Sequence, residues 1–154
     1  MKPTTPIKRA TELKPFSHDH HQGLLLCWKI KTGTAKKVEL KRIKEYVDWF
    51  YKNHLQEHFE LEEKYIFTIL DTANDHIQQA LKEHKRLNDL FKATSDLETN
   101  LKCIEKELEA HIRFEERILF AEIQKSATKE QLKTIEEVHS KEAFVENEDA
   151  NFWS

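Results

Sequence analysis

Apolar positions recur along most of this chain at intervals of three and four, the period of an amphipathic helix, and nowhere alternate as a half-buried strand would. In a first segment from about Phe16 to Lys31, Leu24, Leu25 and Trp28 share one side. Ser17 is expected to cap that helix, and Gly33 to end it in the left-handed conformation common after a last turn. From about Ala35 to Leu70 the apolar set includes Val38, Ile43, Val47, Phe50, Leu55, Phe59, Ile66 and Ile69 without a Gly or Pro, which predicts one long helix. Asp71 to Asn74 reads as a turn. A third helix is predicted from about Asp75 to Lys92, and a fourth from the Ser95/Glu98 capping-box signature to about Lys125. Thr128 and Gln131 repeat that signature and open a short fifth helix to about Val145.

Short connections place consecutive helices side by side, so the prediction is all-α, an up-and-down antiparallel four-helix bundle with an additional short C-terminal helix. Residues 1–15 hold all three prolines and read as an N-terminal arm, 16–147 as the bundle with its extra helix, and 148–154 as a tail. With 154 residues, one domain suffices. Two glycines and 34% charged residues agree with long solvent-faced helices.

Lys and Glu are interspersed and the formal charge is −3, so there is no basic stripe for a phosphate backbone, and nucleic acid is not an expected partner. No apolar run nears the roughly 20 residues that span a bilayer. The first fifteen residues lack the apolar stretch of a signal peptide, and a cytoplasmic location is expected, with no membrane partner. Cys27 and Cys103, without CxxC spacing, are expected as buried reduced thiols.

Nine histidines turn attention to metal chemistry. His58/Glu62 and His111/Glu115 have i, i+4 spacing, which puts both side chains of each pair on one helix face. In so Glu-rich a chain one such pair is expected by chance. The context changes this: HFELEEKYIF from His58 and HIRFEERILF from His111 align without a gap, so two helices present the same His-x-x-x-Glu-Glu face. A pseudo-symmetric binuclear site requires that arrangement. His84 lies about midway between the two motifs, and folding back between helices brings it to a similar depth. On the first helix His18, His20 and His21 compete; the relation to Leu24 and Leu25 favours His21, with His20 as the fallback. Six candidates result: His21, His58, Glu62, His84, His111 and Glu115.

Two ferrous ions carry four positive charges, neutral imidazoles add none, and two carboxylates offset half, leaving the rest to an oxo or hydroxo bridge. Imidazole suits iron, and a carboxylate can place one oxygen on each of two ions. Zinc is the alternative metal, although a closed tetrahedral site does not need six ligands. Ferritin-type carboxylate proteins pair Glu-x-x-His, the reverse of the order here. Among the remaining residues, His54 is expected as a polar rim residue, and His76 and His139 as exposed helix-end residues. Glu63 and Glu116 are expected in outward salt bridges, with a hydrogen bond to a ligand histidine as the alternative. Trp28, Trp49, Phe50 and Phe59 read as core.

The motifs DHHQGLLL, HFELEEKYIF, LKEHKRL and HIRFEERILF, in that order over residues 16–125, resemble those of the hemerythrin-like HHE cation-binding domain family. The resemblance implies metal ligands at His21, His58, His84 and His111, with Glu62 and Glu115 as bridging carboxylates. It also implies a small diatomic ligand, O2 or NO, or peroxide as the partner of the centre. Oxygen-carrying hemerythrins have a further histidine one turn before the third-helix ligand, where this chain has Ala80, and their last carboxylate is an Asp five residues after its His. These departures favour sensing or redox handling over reversible transport. The expected function is therefore a non-haem di-iron protein binding or sensing O2, NO or iron. The alternatives are a di-iron redox enzyme consuming peroxide, O2 or NO, and a metal-free helical interaction module.

Overall fold

The structure is a computed structural model, and it describes residues 8–139, 144–147 and 151–154. Every regular element among the described residues is helical. A 3₁₀ turn, Thr11–Leu13, leads into α1, Lys14–Ala35. The second helix, α2, is one continuous rod: Leu40–Phe50, a π-turn Tyr51–Leu55, Gln56–Leu61, a second π-turn Glu62–Ile66 and a 3₁₀ end Phe67–Ile69. Helix α3 spans Asp75–Lys92. Helix α4 runs Leu97–Phe114, a π-turn Glu115–Leu119 and Phe120–Ser126, and α5 spans Lys129–Val138. No helix among the described residues is long and apolar enough to cross a membrane.

Several predicted ends moved, each for a local reason. Pro15 sits in the first turn of α1, where its missing amide costs nothing, so the helix starts earlier than Phe16 and Ser17 lies inside it. Gly33 is helical, not a left-handed cap; the positive φ of 59° falls on Lys37. Asn74 caps α3 by accepting from the amides of His76 and Ile77. The Ser95 box does not form: Asp96, at φ 50°, precedes α4 without a side-chain cap. The Thr128/Gln131 box does form, and both of its hydrogen bonds are present. Helix α5 ends at Val138, short of Val145; residues 140–143 of the predicted helix lie outside the described residues, and 144–147 are not helical.

Contacts between neighbours show the helix directions. Gly33 and Lys29 of α1 meet Ile43 and Tyr46 of α2, while Asp19 meets His58, so the two helices run antiparallel. Helix α2 opposes α3 through Lys44 with the Phe91 carbonyl, Tyr51 with Asn88 and Glu63 with His84. Helix α3 opposes α4 through Asn74 with Glu122, Glu83 with His111 and Leu90 with Asn100. Helix α1 lies along α4, with Ser17 at Glu116 and Lys31 at Glu105.

The apolar interior is divided. One cluster includes Leu26, Ile30, Val47, Phe50, Leu101, Ile104 and Leu108. The other, towards the α5 end, includes Phe16, Ile66, Ile77, Leu119, Phe120 and Ile135. Buried between them are six polar side chains, His20, His58, Glu62, His84, His111 and Glu115. Trp28, predicted as core, is 53% exposed. The buried stripe of α1 instead follows Phe16, His20, Gly23, Cys27 and Ile30, and a Cβ at Gly23 would stand 2.6 Å from Ile112 Cδ1 on α4.

The C-terminal segment belongs to the body of the protein. Phe152 is buried on Gly33, Ile43 and Tyr46, and Lys29 Nζ lies 4.0 Å from the Trp153 ring centre and 2.6 Å from Glu146 Oε2. Tyr46 donates to the other oxygen of Glu146. Cys27 is a buried free thiol, as expected, and Cys103 is a half-buried one.

A Cβ at Gly33 would lie 2.5 Å from Phe152 Cε2 and 3.1 Å from Ile43 Cδ1. Replacing Gly33 by Ala gains up to about 1 kcal/mol of helix propensity, but overpacking costs about 1–3 kcal/mol. Gly33→Ala is therefore expected to lower stability by roughly 1 kcal/mol in the native chain and to raise it by a similar amount in a Phe152→Ala background. Urea unfolding of the four members of this cycle measures the coupling; additive effects would show that Phe152 does not occupy the Gly33 notch.

Candidate metal centre

Each of the first four helices sends histidine into the polar layer, and α2 and α4 each add a glutamate one turn further on. Five of the six sequence candidates meet there: His58, Glu62, His84, His111 and Glu115. The sixth is His20, not His21. His21 is exposed on the opposite flank of α1, because the buried face of that helix is phased on Phe16, His20 and Gly23. Leu24 and Leu25, used to choose His21, are only half-buried.

The six residues form two four-ligand groups that share both carboxylates. One is His20, His58, Glu62 and Glu115; the other is Glu62, His84, His111 and Glu115; within each group the ligand atoms lie within 4.8 Å of one another. Glu115 Oε1 is 2.9 Å from His20 Nε2, while its Oε2 is 3.4 Å from His111 Nε2 and 3.7 Å from His84 Nε2. Glu62 Oε1 stands 3.2 Å from both His58 Nε2 and His84 Nε2, and Oε2 is 3.4 Å from His20 Nε2. Each carboxylate thus faces both groups.

These contacts are close but not aligned as hydrogen bonds. The Nε2 atoms of all four histidines and both oxygens of Glu62 and Glu115 are buried with no hydrogen-bond partner. An unmade buried bond costs about 1–3 kcal/mol, more for charged groups. A convergent set of such atoms fits a cation, which uses the lone pairs that hydrogen bonding leaves idle.

The opposite ring nitrogens are held by an outer ring of carboxylates. Nδ1 of His58 is 3.0 Å from Asp19, that of His84 2.8 Å from Glu63, that of His111 2.7 Å from Glu83 and that of His20 3.2 Å from Glu116. At His58, His84 and His111 the carboxylate can accept a hydrogen bond from Nδ1–H, which fixes the tautomer and leaves Nε2 facing inward, whereas Glu116 lies beside His20 Nδ1 without an aligned hydrogen bond. Glu63 therefore hydrogen-bonds a buried histidine, the alternative reading, whereas Glu116 pairs with Arg9 as the first reading expects and also lies beside His20. Asp19 and Glu83 were missed, since each serves a histidine on another helix and no spacing within one helix reveals that. Asp19 also contacts His139, whose Nε2 is 2.6 Å away; His139 is half-buried, its ring centre 4.7 Å from that of Phe16, and not an exposed end residue. His76 is half-buried and pairs with Glu122.

Glu62 and Glu115 each open a π-turn, in which the Glu carbonyl accepts from the amide five residues on, Phe67 or Phe120. The added residue per turn lets the backbone bulge where the carboxylate enters the core, a device common at functional sites. Aromatic rings flank the layer: Phe59 stacks on His84 at 4.1 Å between ring centres, and Phe120 lies 5.1 Å from His20. Ala80, one turn before His84, is fully buried and offers no ligand.

Burial opposes a charge on His58, but the Glu62 charge and the hydrogen bond with Asp19 outweigh it and push its pKa up to about 9. His20 and His84 are likewise raised, against burial, by the carboxylates that surround them, Glu115 first. For Glu62, burial and the Glu115 charge press upward, and His58 and His20 pull the pKa down to about 2. The raised histidines thus hold protons that balance the buried charges of Glu62 and Glu115.

His58 is raised from 6.5 to about 9, so its contribution to stability is full below about pH 6.5 and is lost as pH rises through 9. Glu62 is depressed from 4.5 to about 2, so its contribution is full above about pH 4.5 and is lost as pH falls through 2. Chelator-treated protein is expected to lose melting temperature between pH 6.5 and 9, while metal affinity rises over the same window by roughly tenfold per pH unit for each proton displaced. Scanning calorimetry and chelator competition across that range check both trends; a flat affinity would mean that no histidine proton leaves on binding. Compared with protein-family models, with curated proteins and with solved structures, the chain gave no match.

Proposed function

We propose that this chain is a hemerythrin-like protein: an antiparallel four-helix bundle with a short fifth helix, holding a non-haem di-iron centre that binds or senses O2, NO or iron. The observation that carries the reading is the set of buried, unpartnered His Nε2 and Glu oxygen atoms, arranged as two groups that share Glu62 and Glu115. His20 and His58 would hold one ion, His84 and His111 the other, with the two carboxylates between them. Iron in such a site would supply reversible one-electron chemistry and coordination positions open to a small ligand.

The chain's own residues supply orientation and seclusion. Asp19, Glu63, Glu83 and Glu116 hold the imidazoles in register from outside. Phe16, Phe59 and Phe120 limit the approach of water to the ring faces. With Ala80 where a fifth histidine would stand, the second group ends at two imidazoles, which suits ligand sensing or redox handling better than a saturated iron beside a single vacancy.

Anaerobic reconstitution is expected to load two irons per chain, one for each ligand group. In air the loaded protein should absorb in the near-ultraviolet through ligand-to-metal charge transfer, and dithionite should remove the band. His20→Ala is expected to lose at least one ion and His21→Ala none. Fewer than one bound transition-metal ion in the native chain would overturn the proposal. Turnover of peroxide, O2 or NO by the reduced protein, abolished in His58→Ala, would assign the centre to an enzyme.

A further inference from the structure

Beside the His20/His58 side of the polar layer lies a cleft of about 950 Å³, formed by α1, α2, the end of α5 and residues Phe144 and Val145. His58 and its partner Asp19 both contribute to its wall, whereas none of His20, Glu62, His84, His111 and Glu115 is among the described lining residues. A water-sized ligand occupies roughly 30 Å³, and a diatomic molecule would leave nearly all of this space empty. The volume falls within the roughly 300–1,000 Å³ range of sites that bind organic molecules.

The walls indicate what kind. Phe144 stands at ring-centre distances of 4.6 Å from His54, 6.0 Å from Phe50 and 6.2 Å from Trp49, making one side aromatic. Lys14 is the only Lys or Arg among the described lining residues, against the three carboxylates of Asp19, Glu57 and Glu136, and His58, with its raised pKa, adds one further positive charge beside Asp19. An anion would meet net repulsion there. Asp19 is already engaged by His58 and His139, and Lys14 offsets part of the remaining acidic charge, which leaves little to hold a cation. Gln22 and Asn53 add amide groups able to donate to or accept from a hydroxyl.

We propose that this cleft is a binding site for a small, neutral, planar aromatic molecule carrying a hydroxyl group, seated against the Asp19–His58 pair on the outer side of the polar layer. The site stands on the cleft and its lining; only its bearing on a metal centre rests on the function proposed above. The aromatic side of the site is completed by the C-terminal segment, which Glu146, Lys29 and Tyr46 fasten to α1 and α2.

The test is calorimetric titration of the full chain, as purified and again after chelator treatment with helicity followed by circular dichroism. The probes are 2-naphthol, 2-naphthoate and 2-(aminomethyl)naphthalene. 2-Naphthol is expected to bind once per chain, at least tenfold tighter than either charged analogue, with or without metal. Phe144→Ala, which removes the aromatic wall, and Asn53→Trp, an exposed position that fills the cleft, should each weaken it at least tenfold. Lys64→Ala, in the separate groove between α2 and α5, should not change it. Binding that is absent, that favours either charged probe, or that ignores both cleft variants would overturn the proposal. Binding that persists in a chain unable to hold metal would support the site while the metal reading fails.

Discussion

The organising constraint in this molecule is the burial of six ionisable side chains in one layer between two apolar clusters. Each buried charge or unmade hydrogen bond opposes folding. The layer is tolerable only because every imidazole has a carboxylate on its outer nitrogen and because the inner atoms face one another at 2.9 to 3.7 Å, close enough to share protons or cations. The helix directions follow from it: four helices must deliver their polar residues to one depth, and contacts between neighbours run antiparallel on either side of that plane.

The same constraint explains features that look unrelated to chemistry. The π-turns at Glu62 and Glu115 occupy equivalent places in two copies of one motif, where a carboxylate must reach the axis from a helix already committed to its histidine. Gly23 lets α1 approach α4 closely enough for His20 to reach Glu115. The two apolar clusters supply the hydrophobic stabilisation that offsets the layer, and Phe152, contributed by the far end of the chain, completes one of them.

Much of this was legible in the sequence, and the legible parts share a cause. Helix period and the repeated His-x-x-x-Glu-Glu face are local, so they delimit α3 and point to five of the six side chains that meet in the buried layer. His20, the fallback on the first helix, is the buried one and His21 is exposed, because Leu24, Leu25 and Trp28 suggest a face that tertiary packing does not use, while small Gly23 marks the one it does. Asp19 and Glu83 reach across to other helices, and their pairing exists only once the helices are assembled. The burial of Phe152 was equally hidden, since an acidic, Asn-containing stretch precedes it and its receptor is the absent side chain of Gly33.

The outer carboxylates also make the two halves of the centre unequal. Glu63, Glu83 and Glu116 are partly open to solvent, with side chains 41%, 33% and 29% exposed. Asp19, similarly exposed at 34%, also meets His139 through the same Oδ2, and the His139 side chain, at the end of α5, is only 11% exposed. One oxygen of Asp19 therefore joins His58 to the end of a helix that supplies none of the six side chains of the buried layer. The cleft opens at that junction, so α5 and Phe144 border His58 and none of the other three imidazoles lies among the described lining residues. Sequence symmetry between the α2 and α4 motifs thus coexists with structural asymmetry, imposed by the segment that follows the repeat.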